Sequence, residues 1–194
     1  MRNKLSLLLL GILSLSATGC VWSVHRLYTE ETAVFEPALV GTWATAGEEK
    51  VAIVKAGEDK SYEITYREKD VGEGAAVNYR AHLVRLGEFL FLDVQPDKKT
   101  VDDLMEMKPV WYLLPTHTFY RVQLRGDAVT VSLVDDKLVT KSGQPPLAHE
   151  RIDEKDGEDG YLLTASSAEL RAGLAKRAGD EEIYLKLGEF QRLK

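Results

Sequence analysis

Tyr120-Arg121-Val122-Gln123-Leu124-Arg125-Gly126-Asp127-Ala128-Val129-Thr130-Val131-Ser132-Leu133 decides the fold class. Apolar and polar residues alternate from Tyr120 to Leu124 and again from Val129 to Leu133. A period of two sends successive side chains to opposite faces of a β-strand. Between the two runs stands Arg125-Gly126-Asp127, where glycine can take the positive φ that a tight hairpin needs. The tripeptide also spells an integrin-adhesion sequence, but so short a match recurs by chance and the hairpin accounts for it.

The same alternation recurs on either side of this hairpin. Tyr62, Ile64 and Tyr66 alternate with Glu63, Thr65 and Arg67, and Val77, Tyr79, Ala81 and Leu83 alternate with Asn78, Arg80 and His82. Residues 40–45, 51–55 and 111–114 are further strand candidates. Residues 89–94 form a nearly continuous apolar run, broken only at Asp93, which suits a strand covered on both faces. Gly87-Glu88 supplies another turn. Strands this close leave no room for crossover helices, so the sheet is largely antiparallel. One late helix is marked by a Ser166/Glu169 capping box, by Leu170 and Leu174 one turn apart, and by Lys176 and Arg177 at its end. Gly179 is the expected left-handed terminator. Ile183, Leu185 and Leu187 then alternate with Tyr184 and Lys186 as a final strand. Residues 98–108 read as a short helix, and 135–151 as loop with at most one helical turn. The expected class is mainly β: an antiparallel meander that closes into a barrel and so removes its edges, or a half-open sandwich with a helix across one side.

The order of elements resembles that of the lipocalins and the wider calycin-like barrels, and Gly41-Thr42-Trp43 matches their first-strand Gly-X-Trp. The Thr-Asp-Tyr of that family is missing. The resemblance implies that Trp43 plugs the closed end of the barrel and packs against a basic side chain from a late strand, for which Arg192 is the candidate. The segment from Phe35 through Pro37-Ala38-Leu39-Val40-Gly41-Thr42-Trp43 also resembles the start of uncharacterised bacterial lipoproteins with lipocalin-like domains, and that resemblance implies no activity.

The N-terminus points to export. Arg2 and Lys4 precede an apolar stretch over residues 5–15, then small residues, then Cys20. That is the order of a secretory signal, and the stretch is too short for a transmembrane helix, which needs about 20 apolar residues. Ala17-Thr18-Gly19-Cys20 resembles the lipobox of bacterial lipoproteins, although Ala17 stands where Leu is more usual. The resemblance implies cleavage after residue 19 and attachment of lipid to Cys20, with acyl chains of the palmitate kind. Val21 and Trp22 follow, neither being the Asp that retains many lipoproteins in the inner membrane. The expected location is therefore the cell envelope, lipid-anchored at the outer membrane and facing the periplasm. Residues 20–36 read as a tether, or as a segment docked through Trp22, Tyr28 and Phe35; residues 37–194 read as one β-rich domain.

Composition narrows the function. Cys20 is the only cysteine, so no internal disulfide, thiolate cluster or Cys-X-X-Cys pair can form. Removing the signal takes the net charge from −6 to −8. An acidic domain is poorly suited to nucleic acid, whose phosphates need clustered Lys and Arg. The four histidines lack short metal-ligand spacings. His82 sits on the polar face of its strand and reads as solvated; His117 is a candidate at a loop-to-strand transition. The acidic run over residues 153–160 lacks the ligand spacing of a calcium loop. No nucleophile elbow or phosphate loop is present. No enzyme, cofactor or metal is expected. The expected function is to bind a small apolar ligand, a lipid or fatty acid, inside the barrel, with Tyr62, Tyr66, Tyr79, Phe91 and His117 as lining candidates. The alternative is an envelope interaction protein with a packed core and an exposed apolar patch, its protein partner not readable from the sequence.

Overall fold

A computed structural model describes residues 21–69, 76–107, 115–141, 147–153 and 159–193. Cys20, the strand candidate at 111–114 and most of the acidic run lie outside these. Eight antiparallel strands close into a barrel. They are β3 (Gly41–Ala44), β4 (Lys50–Ala56), β5 (Ser61–Glu68), β6 (Ala76–Leu86), β7 (Phe89–Pro96), β8 (Thr118–Arg125), β9 (Ala128–Val134) and β12 (Tyr184–Arg192). Neighbours in sequence are neighbours in space up to β9. The ring then closes through β12, which pairs with β9 on one side and with β3 on the other. The expected meander thus closes as a barrel and not as a half-open sandwich.

The hairpins follow the turn chemistry. Gly87 and Gly126 hold φ at +62° and +59° in the β6–β7 and β8–β9 turns. In β12 a bulge between Lys186 and Gly188 shifts the register. The seam between β12 and β3 has only two paired positions, Gln191 with Ala44 and Arg192 with Trp43.

Alternation sets two apolar layers. Ala81 and Leu83 of β6, Leu92 and Val94 of β7, and Val122 of β8 join Trp43, Tyr62 and Phe190 in the lumen. Val84, Leu86, Phe91, Phe119 and Val134 belong to the opposite faces of β6–β9 and lie under a second layer. That layer is built from a small sheet, β1 (Val21–Ser23), β11 (Asp159–Leu163) and β10 (His149–Asp153), with the single-turn α2 (Lys137–Thr140) and α3 (Ser167–Arg177). Leu170 and Leu174 of α3 are fully buried there, and each such side chain contributes about 1.5–3 kcal/mol by leaving water. The run at 89–94 is apolar on both faces, Asp93 excepted, because β7 has the lumen on one side and this layer on the other. α1 (Lys98–Met107) follows β7 and rests against the start of β6.

Two expectations need correction. From Val21 onward the expected tether is part of the fold. β1 pairs in parallel with β11, the short β2 (Ala33–Val34) pairs with β6, and Leu27 is fully buried. The backbone N–H of Leu27 donates to Asp93 Oδ2 at 2.6 Å, which pins the segment to the barrel wall. Second, Gly179 does not take a left-handed conformation. The C-terminal carbonyl of Ala178 accepts from Arg121 Nη1 at 3.2 Å and from the Tyr184 hydroxyl at 3.0 Å, so α3 ends on side-chain donors. Its N-terminus carries the expected Ser166/Glu169 capping box.

Candidate functional site

One end of the barrel is stoppered. The turn Pro37–Leu39 drops Leu39 into the lumen, and Trp43 Nε1–H donates to the Leu39 carbonyl at 2.8 Å. The Arg192 guanidinium lies 4.2 Å over the Trp43 ring. It donates to the carbonyls of Val40, at 2.8 Å, and of Ala38. Arg192 Nε also meets the Asp127 carboxylate at 3.3 Å. Gly41, Trp43 and Arg192 therefore meet at one stopper, as the lipocalin resemblance implies.

Above the stopper the lumen is not filled. A cavity of about 180 Å³ remains, floored by Leu39, Trp43 and Phe190 and walled by residues such as Ala52, Ile64, Leu92 and Val131. Three of the candidate lining residues, Tyr62, Tyr66 and Tyr79, border it. Tyr62 is fully buried and its hydroxyl is committed: it accepts from the Glu36 N–H at 2.7 Å. Its ring stacks on Phe35 at 5.1 Å. At the far end Lys50 borders the cavity and meets Glu68 at 3.4 Å, and the Tyr66 hydroxyl donates to the same carboxylate at 3.4 Å. Desolvation pushes the Tyr66 phenol well above its ordinary value, and the Glu68 charge adds to this. Burial raises Tyr79 likewise. All three phenols are neutral at physiological pH, and the lining offers hydroxyls but no free charge.

Phe91 and His117 are not in this cavity. β7 sends Leu92 and Val94 inward, so Phe91 points outward. It is fully buried between barrel and second layer, 6.5 Å from the Tyr184 ring. His117 lies just before β8 on the same outer side. Its Nδ1 is 2.6 Å from Asp93 Oδ1, and its backbone pairs with Ser23. The Ser23 hydroxyl turns away, to the His25 carbonyl at 2.7 Å.

His82 also departs from expectation. It is 5% exposed, because Tyr28 stacks on it at 3.6 Å when residues 21–36 fold down. Desolvation, followed by the nearby Arg80 charge, lowers its pKa to about 4.

Sequence reading overlooked Leu39, Lys50, Tyr120 and Phe190 as lining residues. Lys50 shares a face with Ala52 and Val54, and Tyr120 with Val122, so the alternation already contained both. No described helix is long and apolar enough to cross a membrane. No protein-family model, no curated protein and no solved structure matches this chain.

Proposed function

We propose that the protein is a lipid-anchored envelope protein whose barrel binds one small, mainly apolar ligand. The observation that carries this reading is the unfilled apolar lumen. A packed interior would have argued against it, and a cavity of about 180 Å³ remains. An apolar cavity near 150 Å³ stays dry and takes a benzene-sized molecule, whereas drug-sized ligands occupy roughly 300–1,000 Å³. The part of the ligand held inside is therefore narrow: one ring, or one stretch of an acyl or isoprenoid chain. Lys50 is already paired with Glu68, so a fatty-acid carboxylate would meet a like charge beside the ammonium. A neutral polar head suits that end better.

The large apolar side chains exposed among the described residues are Phe35, Met105, Ile152 and Leu193. They lie on four separate segments of the chain. Binding without chemistry fits the committed hydroxyls of Tyr62 and Ser23 and the Asp93 carboxylate, which is buried behind residues 21–36 and already holds the Leu27 N–H and His117. The anchoring half of the proposal rests on the basic start, the apolar stretch and Gly19-Cys20, with delivery to the outer membrane, facing the periplasm.

Native mass spectrometry of residues 21–194 tests the binding half. A discrete added mass, lost on organic extraction and absent from Ala52→Phe, is the expected result. An unliganded mass with no uptake from a mixed lipid pool would overturn it in favour of an interaction protein. Globomycin tests the anchor: an unchanged processed size removes it.

A further inference from the structure

We infer that the outer face of the small sheet β10–β11–β1 rests in the membrane surface, so that the domain is seated on the bilayer and not suspended above it. This builds on the acylation of Cys20 proposed above. Cys20 is bonded to Val21, and Val21 is 2% exposed and already paired with Tyr161. Adjacent Cα atoms are about 3.8 Å apart. No slack remains between the lipid and a folded strand.

The face that meets the lipid is set by strand alternation. Val21 and Ser23 turn toward the barrel and are buried, so Trp22 turns away from it. Register places Leu162 beside Trp22 and Glu150 beyond it, and Ile152 lies on the same face with 39% of its surface exposed. Trp22, Leu162 and Ile152 thus form an apolar strip directly behind the anchor. Tryptophan favours the headgroup level of a bilayer, and a surface-bound element sinks its apolar side about 5–10 Å into that zone. Glu150 shares the face and would be repelled by anionic lipid. The fit is to a neutral lipid interface through apolar contact, not to a charged surface.

The test uses the mature acylated protein in vesicles of neutral phosphatidylcholine. Cys20 carries the lipid on its sulfur, so an Ile152→Cys variant offers one free thiol for a nitroxide. Glu63→Cys, on the exposed face of β5, is the control. The expected result is an Ile152 label that is oxygen-accessible and several-fold better shielded from a water-soluble nickel relaxant than the Glu63 label. Equal shielding of the two labels, on protein that carries its acyl mass and floats with the vesicles, overturns the seating alone. Dipolar broadening between Ile152 labels puts a second copy on the face and also overturns it. Protein without acyl mass overturns the anchoring and the seating together.

Discussion

A β-carbon on Gly41 would lie 2.2 Å from Arg192 Nη1, and Gly41 holds φ at +149°. Both facts oppose a side chain there, but only the first involves Arg192. Gly41→Ala should cost more than about 1 kcal/mol from backbone strain alone, and more again from displacing the guanidinium. Arg192→Ala should cost about 2 kcal/mol, through lost hydrogen bonds and the cation–π contact. Because the clash needs both side chains, the double variant should be less destabilised than the sum of the singles. Urea denaturation of the four proteins measures that coupling, and strict additivity would contradict the geometry. Arg192→Lys should not restore the loss, since one ammonium cannot span two carbonyls and stack on Trp43. His82 makes a second prediction at this scale. Its folded pKa, about 4, lies below the ordinary histidine value of about 6.5. The unfolded chain therefore binds the proton first. The stability is fully present above pH 6.5 and is lost as the pH falls toward 4, by up to roughly 3 kcal/mol. Unfolding monitored across that window in the wild type and in His82→Phe should show the slope flatten in the variant.

At the scale of elements, the strands were legible and the surroundings of their faces were not. Period-two patterning located the β6, β8 and β9 alternations, because each has one face more polar than the other. It could not say which side of β7 is the lumen, since Phe91 and Leu92 are equally apolar and both sides are covered. That is why Phe91 looked like a lining residue. The docking of residues 21–36 was legible only as one of two readings, for a related reason: β1 is three residues long, and the acceptor that pins the segment, Asp93, is 66 residues from Leu27. The Trp43 stopper could be anticipated because a three-residue motif carries it. The end of α3 shows composition misleading. Gly179 suggested a glycine terminator, yet Arg121, brought in from β8, provides the cap. Arg121 is 4% exposed, pairs with Glu181 at 2.6 Å and lies 3.9 Å over the Tyr184 ring. Arg121→Ala should therefore destabilise the protein by about 2–4 kcal/mol, combining the lost bond to the Ala178 carbonyl, which would keep only the Tyr184 hydroxyl, with the lost Glu181 pair and cation–π packing. Hydrogen exchange should show α3 fraying from its C-terminus before the barrel strands respond. Uniform loss of protection would contradict a cap role.

For the whole molecule, the barrel and its covering layer depend on each other through the wall they share. β6 to β9 present apolar side chains to both, so losing either layer exposes a strand face. Between β9 and β12 the chain leaves the ring, builds α2, β10, β11 and α3, and only then returns. A chain ending at residue 183 would keep the covering layer but lack the eighth strand. β3 and β9 would then be open edges, and the lumen would lose Phe190 from its floor. Such edges template pairing with other chains. The truncated protein should bind a hydrophobic dye and aggregate, and a synthetic peptide of residues 184–194 added in trans should reverse both effects. Failure of the peptide to act would mean that β12 is not the missing piece.

The position of that eighth strand has a consequence for the order of folding. Most neighbours in the ring are joined by short turns, whereas the contact of Arg192 with the Val40 carbonyl spans 152 residues. Contacts so distant in sequence carry the greatest loop-closure cost and form late. The hairpins and the covering layer can be assembled while the ring still gapes. Trp43 and Leu39 wait for the guanidinium, and the lumen acquires its floor only when the seam between β12 and β3 zips shut.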